Sequence, residues 1–167
     1  MSTVWHLVYT KPNKENLAKQ HLQRQGYSVY LPMTQRVKRL RGRRSVIDEP
    51  LFPRYLFIKL NLHDQDWSPI RSTIGVSHLV RFGVVPARVP ESFVEFCQRQ
   101  EQGQCELSQD HNYFDAGDSV RIVSGSFAGY EAVFECAKSD ERAVVLLNIA
   151  NSFTQLQVDQ GDLDKVA

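Results

Sequence analysis

The stretch Glu49-Pro50-Leu51-Phe52-Pro53-Arg54-Tyr55-Leu56-Phe57-Ile58 leaves this chain few ways to fold. Its two prolines bracket Leu51 and Phe52, and a prolyl ring suits neither a helix interior nor a central strand, so regular structure starts afresh at Tyr55. From there the residues are β-formers, and a period of two puts Tyr55 and Phe57 on one face, Leu56 and Ile58 on the other. The aliphatic face closes a core. The aromatic face, beside Arg54 and Lys59, either packs against another element or waits for a partner, and the residue pattern leaves both open.

Charge divides the chain in two. Residues 1–100 carry 16 basic and 7 acidic side chains, a net of +9, whereas residues 101–167 carry 4 and 12, a net of −8. A length of 167 residues allows one domain or two small ones. The asymmetry suggests a basic module for a polyanion and an acidic module that can be drawn to it. Cys97, Cys105 and Cys136 are odd in number and lack ligand spacing, which argues against disulfides and a zinc site. No signal-like or membrane-length apolar run is present, so a cytoplasmic protein away from membranes is expected; a monomer is expected as well.

Val4 to Tyr9 reads as a first strand, broken at Pro12-Asn13, where Asn13 is suited to cap a helix from about Lys14 to Gln25. Leu17, Ala18 and Leu22 form its apolar stripe, and Gly26 ends it. His21 and Arg24 lie beside that stripe with Lys11 and Lys14 at the helix start, a cluster suited to phosphates or extruded bases and equally to a solvated face. Tyr27 to Leu31 is a further strand. Residues 35–47 read as a hairpin with Arg41-Gly42 at its tip and six cations from Arg36 to Arg44, fit for a nucleic-acid backbone or for solvent.

After the opening stretch come a loop and short helix, Asp64 to Ser72, carrying Trp67, then a strand from Val76 to Phe82 closed by Gly83. From Pro90 a helix is expected over Glu91 to about Gln102, burying Phe93, Val94, Phe96 and Cys97. These elements make an α+β sandwich of residues 1–100. Residues 101–114 read as a linker and 115–167 as a second, smaller domain. There Asp115 to Val123 and Gly125 to Gly129 suggest the strands and turns of a small β-barrel. Yet Ala143, Leu146, Leu147 and Ala150 keep helical spacing, while Val144 to Ile149 is equally a buried strand, with Ser139-Asp140-Glu141 as a turn in either case. One reading is a segment with two nearly balanced folds.

The sequence shows no nucleophile–base pair, paired carboxylates, phosphate-cradling glycine loop or metal cluster; the five histidines are scattered. A binding protein without cofactor or metal is expected.

Val4 to Tyr9, Pro50 to Phe57 and the stretch from Gly117-Asp118 to Gly129 resemble the NusG family of transcription elongation factors, which join an N-terminal NGN domain to a C-terminal KOW domain. Within it, Glu49 to Pro53, Gly75 to Gly83 and Leu146-Leu147-Asn148 resemble the specialised RfaH branch. That resemblance implies polymerase binding by Tyr55, Phe57, Leu51 and Phe52 at the β′ clamp helices. It also implies reading of a non-template DNA hairpin at an ops site by Lys11, Lys14, His21, Arg24, Arg71 and Thr73. Asp66, Trp67 and Ser68 fall at the contact with the β-subunit gate loop, and pausing would be suppressed. The resting C-terminal domain would be an α-hairpin lid, with Phe134, Val145, Leu146 and Ile149 packed on Tyr55, Phe57, Val94 and Cys97 and a Glu49–Arg142 bridge. Released, it would become an SH3-like five-stranded barrel contacting a small-subunit ribosomal protein. Leu17, Ile74 and Asp66-Trp67-Ser68 depart from the branch pattern.

Overall fold

A computed structural model describes residues 3–102, 130, 132–136 and 138–166. The strands β1 (Val4–Thr10), β2 (Ser28–Tyr30), β5 (Tyr55–Leu60) and β6 (Val76–Leu79) form an antiparallel sheet in the order β2-β5-β1-β6. A short β9 (Arg88–Val89) also pairs with β1. Helix α1 (Glu15–Arg24) covers one face of the sheet, and α2 (Glu91–Glu101) with the C-terminal helix α3 (Ser139–Val166) covers the other.

The period-two reading of Tyr55 to Ile58 holds. Leu56 and Ile58 pack with Val8, Ala18 and Leu22 under α1, whereas Phe57 packs with Leu7, Phe93 and Leu146. A one-residue slip of β5 would exchange those two environments, so burial on both sides pins its register of Leu7 opposite Phe57 and Val8 opposite Leu56. The chain enters β5 through a turn at Phe52-Pro53-Arg54-Tyr55. The Tyr55 amide donates to the Phe52 carbonyl at 3.0 Å, and Arg54 sits at φ 72°, the type II pattern with proline in its favoured place.

The expected hairpin is β3 (Met33–Leu40) with β4 (Arg43–Pro50), a separate two-stranded ribbon. Arg41 and Gly42 form its two-residue loop with φ of 54° and 78°, the type I′ pattern whose twist suits a hairpin. Val37 and Val46, opposite each other, are exposed, as are Arg36, Arg39, Arg41, Arg43 and Arg44.

Several expectations are corrected. Asn13 does not cap α1; it takes φ 61° in the preceding turn, and Lys14 stands at the cap position without a side-chain bond. The strand expected over Val76–Phe82 breaks after β6. The Val80 amide donates to Leu7 at 2.9 Å, and β7 (Arg81–Phe82) instead folds back on β8 (Val85–Pro86) around Gly83. Glu101 belongs to α2 rather than to a linker. Ser139, Asp140 and Glu141 are the first turn of α3, where their acidic groups favour the positive end of the helix, and not a loop. Tyr130 and residues 132–135 are also helical. The strand expected over Asp115–Val123, the turn at Gly125–Gly129 and most of the expected linker lie outside the described residues.

His6 on β1 is 1% exposed. Its Nδ1 lies 2.8 Å from the Ala87 carbonyl and so must donate, while Nε2 meets no partner among the described residues. Burial, more than the nearby Arg88, lowers its pKa from 6.5 to about 4. The native state refuses a proton that the unfolded chain accepts between those values. Stability is therefore complete above pH 6.5 and falls by roughly 2–3 kcal/mol as pH drops towards 4. Urea midpoints between pH 7 and 4 check this, and His6→Leu is expected to flatten that part of the profile.

Candidate functional site

The aromatic face of β5 is not open. Phe57, Leu51 and Phe52 are each 2% exposed or less, and Tyr55 is half-buried. Phe52 and Phe57 have ring centres 6.1 Å apart, and Phe93 lies 6.2 Å from Phe57 at nearly a right angle, an edge-to-face arrangement. Phe96 of α2 meets Phe134 at 5.6 Å and Tyr130 at 5.7 Å, so the C-terminal segment continues the aromatic packing. Val94, Cys97, Phe134, Val145, Leu146 and Ile149 all join one cluster with Tyr55 and Phe57.

Helix α3 lies against the sheet along a stripe of Arg142, Leu146, Ala150 and Thr154, all buried and four residues apart. The centre of the stripe is apolar and its ends are polar, each tied to the N-terminal part. Arg142 Nε donates to the Leu51 carbonyl at 2.8 Å, and its terminal nitrogens reach the Cys136 carbonyl at 3.1 Å and Glu49 at 3.3 Å. Twelve residues on, the Arg88 amide donates to Thr154 Oγ1 at 2.8 Å. The two ties, about 18 Å apart along an ideal helix, fix the register of α3 on the sheet. Glu49 also pairs with Arg36 of the hairpin at 3.3 Å, so one carboxylate serves both elements.

A second surface lies around α1. The Lys11 amide donates to the Gly75 carbonyl at 2.9 Å, and Gln25 Nε2 donates to Thr73 Oγ1 at 2.8 Å. These bonds draw together the turn before α1, its C-terminal end and the 3-10 turn Ser68–Ser72. Gly75 sits at φ 89° with its Cα facing Ala18, and an added Cβ would come 2.9 Å from the Ala18 nitrogen. Lys11, Lys14, Arg24 and Arg71 are exposed and His21 is half-buried, on the elements that these bonds draw together. Thr73 is buried, and its hydroxyl is used by Gln25 and by the Pro69 carbonyl at 2.9 Å, so it braces the surface from below. Of the two departures, Leu17 is half-buried and Ile74 is 59% exposed.

Asp66, Trp67 and Ser68 form a tight polar turn. Asp66 Oδ1 accepts from the Ser68 amide at 3.1 Å and its hydroxyl at 2.7 Å, which holds the carboxyl below its usual pKa, and Tyr27 donates to the Asp66 carbonyl. Sequence reasoning missed a groove beside this turn, of about 360 Å³, which also includes His78 and Arg81. The signal available was a lone indole in a polar loop next to a strand edge; the break after β6 that brings Arg81 back towards Trp67 was not visible. Among the described residues no group of three or more His, Cys, Asp or Glu is placed to hold a metal, and no helix is long and apolar enough to cross a membrane.

A layered α/β domain with a capped aromatic face and a separate cationic surface is built for binding macromolecules. The family model described as transcription termination factor NusG matches residues 3–98, and the chain belongs to that family of transcription termination and antitermination factors. It is 29% identical to the transcription termination/antitermination protein NusG of Thermus thermophilus over 95% of this chain and 96% of that protein. The NusG of Bacillus subtilis is 24% identical over 99% of this chain and 100% of that protein. A solved structure concerned with domain interaction in Thermotoga maritima NusG aligns with a TM-score of 0.47 and 22% identity, covering 71% of each chain.

Proposed function

We propose that this chain is an operon-specific elongation and antitermination factor of the RfaH type, resting in an autoinhibited form. Tyr55, Phe57, Leu51 and Phe52 are the polymerase-binding face, reached at the β′ clamp helices only after α3 leaves. Lys11, Lys14, His21, Arg24 and Arg71, braced by Thr73, read a non-template DNA hairpin at an ops-like site, where an unpaired strand offers base edges that a duplex hides. Asp66-Trp67-Ser68 stands towards the β gate loop. Residues 115–167, after a linker at 102–114, form the KOW-type domain that becomes a barrel on release and contacts a small-subunit ribosomal protein, coupling transcription to translation.

The observation that carries this reading is the docking of α3 over the aromatic face, held by Arg142 on Glu49 and Leu51. A helical cover here has a switching rationale that a permanently barrel-shaped domain would lack. The experiment is recruitment to elongation complexes halted with and without an ops element, comparing the full chain with residues 1–101. Capture of the full chain only on the signal template, with the fragment captured on both, is the expected result. Equal capture of both proteins on both templates would point instead to a general NusG-like factor, the reading that the departures at Leu17, Ile74 and Asp66-Trp67-Ser68 favour.

A further inference from the structure

The groove beside Trp67 carries an inference that rests on the DNA-directed reading and extends it. Ile70 and Leu79 contribute apolar walls, and Trp67, Arg71, Ser77, His78 and Arg81 the rest. Its volume of about 360 Å³ falls at the small end of ligand pockets, which run from roughly 300 to 1,000 Å³. Among the described residues no carboxylate lines it. Arg71 and Arg81 are both exposed, as is His78, whose Nδ1 lies 3.0 Å from Ser77 Oγ. The Arg81 guanidinium sits 5.7 Å from the Trp67 ring centre, a loose cation–π contact. That geometry combines an aromatic platform with a cation already beside it, and it is continuous through Arg71 and the 3-10 turn with the cationic surface around α1.

We infer that this groove is a subsite for one nucleotide of a single DNA strand, whose base stacks on Trp67 while Arg81 and Arg71 hold its phosphates. Every base has a π-face, so an indole accepts any of them, and flanking guanidiniums neutralise the backbone without reading sequence. The base displaces the Arg81 guanidinium from the ring, and that cation turns to the phosphate instead. Trp67 thereby offers its groove side to DNA while the Asp66-Ser68 turn stays towards the gate loop, and the strand that leaves the α1 surface has a second place to hold.

The test uses the full chain with Trp5→Phe, which leaves Trp67 as the only tryptophan, since the protein has two. Octathymidylate is titrated while Trp67 emission is followed, with inorganic phosphate as the control ligand and labelled octathymidylate anisotropy as an independent measure of binding. The expected result is saturable quenching by the oligonucleotide and none by phosphate. Arg81→Ala, at an exposed position, is expected to weaken binding about tenfold; His21→Ala is expected to weaken binding with the quenching at saturation unchanged. Binding by anisotropy with no change in Trp67 emission and no effect of Arg81→Ala would overturn the subsite and leave the DNA-directed reading standing. No binding of octathymidylate to the wild-type chain would overturn the subsite, whereas the reading it rests on falls only with the loss of signal-dependent recruitment on the ops template. Emission that answers to polymerase but not to the oligonucleotide would give the groove to a protein loop and overturn the subsite.

Discussion

Replacing Arg142 by alanine is expected to release helix α3 from the sheet while leaving the sheet itself folded. The guanidinium is 6% exposed and its described partners are the carbonyls of Leu51 and Cys136 and the carboxylate of Glu49. Removing one member of a buried charged pair costs about 3–5 kcal/mol, because the groups left behind lose their partner without regaining water. Glu49 keeps Arg36 and is partly exposed, which puts the expected loss at the low end, about 3 kcal/mol. That is roughly a hundredfold in the equilibrium between docked and undocked helix. Hydrogen exchange reads it directly: amides across residues 142–154 should exchange faster, with those of β1 and β5 unchanged. Arg142→Lys should recover only part, since an ammonium cannot fork to several fixed acceptors. Unchanged protection of α3 in Arg142→Ala would show that apolar packing alone holds the lid.

Phe57→Ala is expected to be the most damaging single change in the N-terminal part, and for reasons of stability before those of binding. The ring is fully buried and contacts Phe52, Phe93 and Tyr30 at centre distances near 6 Å. Truncating such a ring costs about 3–5 kcal/mol, the lost transfer energy together with the cavity left where neighbours cannot collapse. A urea midpoint that moves by less than 1 kcal/mol equivalent would mean the surrounding aromatics repack. Loss of polymerase association in this variant would not by itself locate the docking face. Tyr55→Ala, at a half-buried position, tests that face with far less harm to the fold.

Much of this was legible in the residues. The alternation of Tyr55 to Ile58 is strict enough that burial on both faces admits one register, and the Arg41-Gly42 tip sits where two alternating arms meet. The C-terminal helix was half-legible. Among the described residues its buried stripe runs from Arg142 to Thr154, and those two polar residues hide from hydropathy a period that Leu146 and Ala150 alone only suggest. Only tertiary partners, the carbonyl of Leu51 and the amide of Arg88, make those positions interior. The same holds for the groove. Trp67 and Arg81 are fourteen residues apart, and nothing local foretells the fold-back of β7 that brings them together. Asn13 shows the converse: a good capping residue spent instead on a left-handed turn, because the chain must reverse there to enter α1.

The tip of the basic hairpin has a bearing on what has shaped this chain. The first residue of a type I′ loop is most at ease as asparagine, aspartate or glycine, and a side chain such as arginine held there costs about 1–2 kcal/mol of backbone strain. Arg41 holds it nonetheless, at an exposed position among cations that repel it. Neither turn geometry nor local charge favours that residue. The ribbon would close more readily around a smaller, neutral tip, so the hairpin stores about 1–2 kcal/mol of turn strain that asparagine or glycine in place of Arg41 would release.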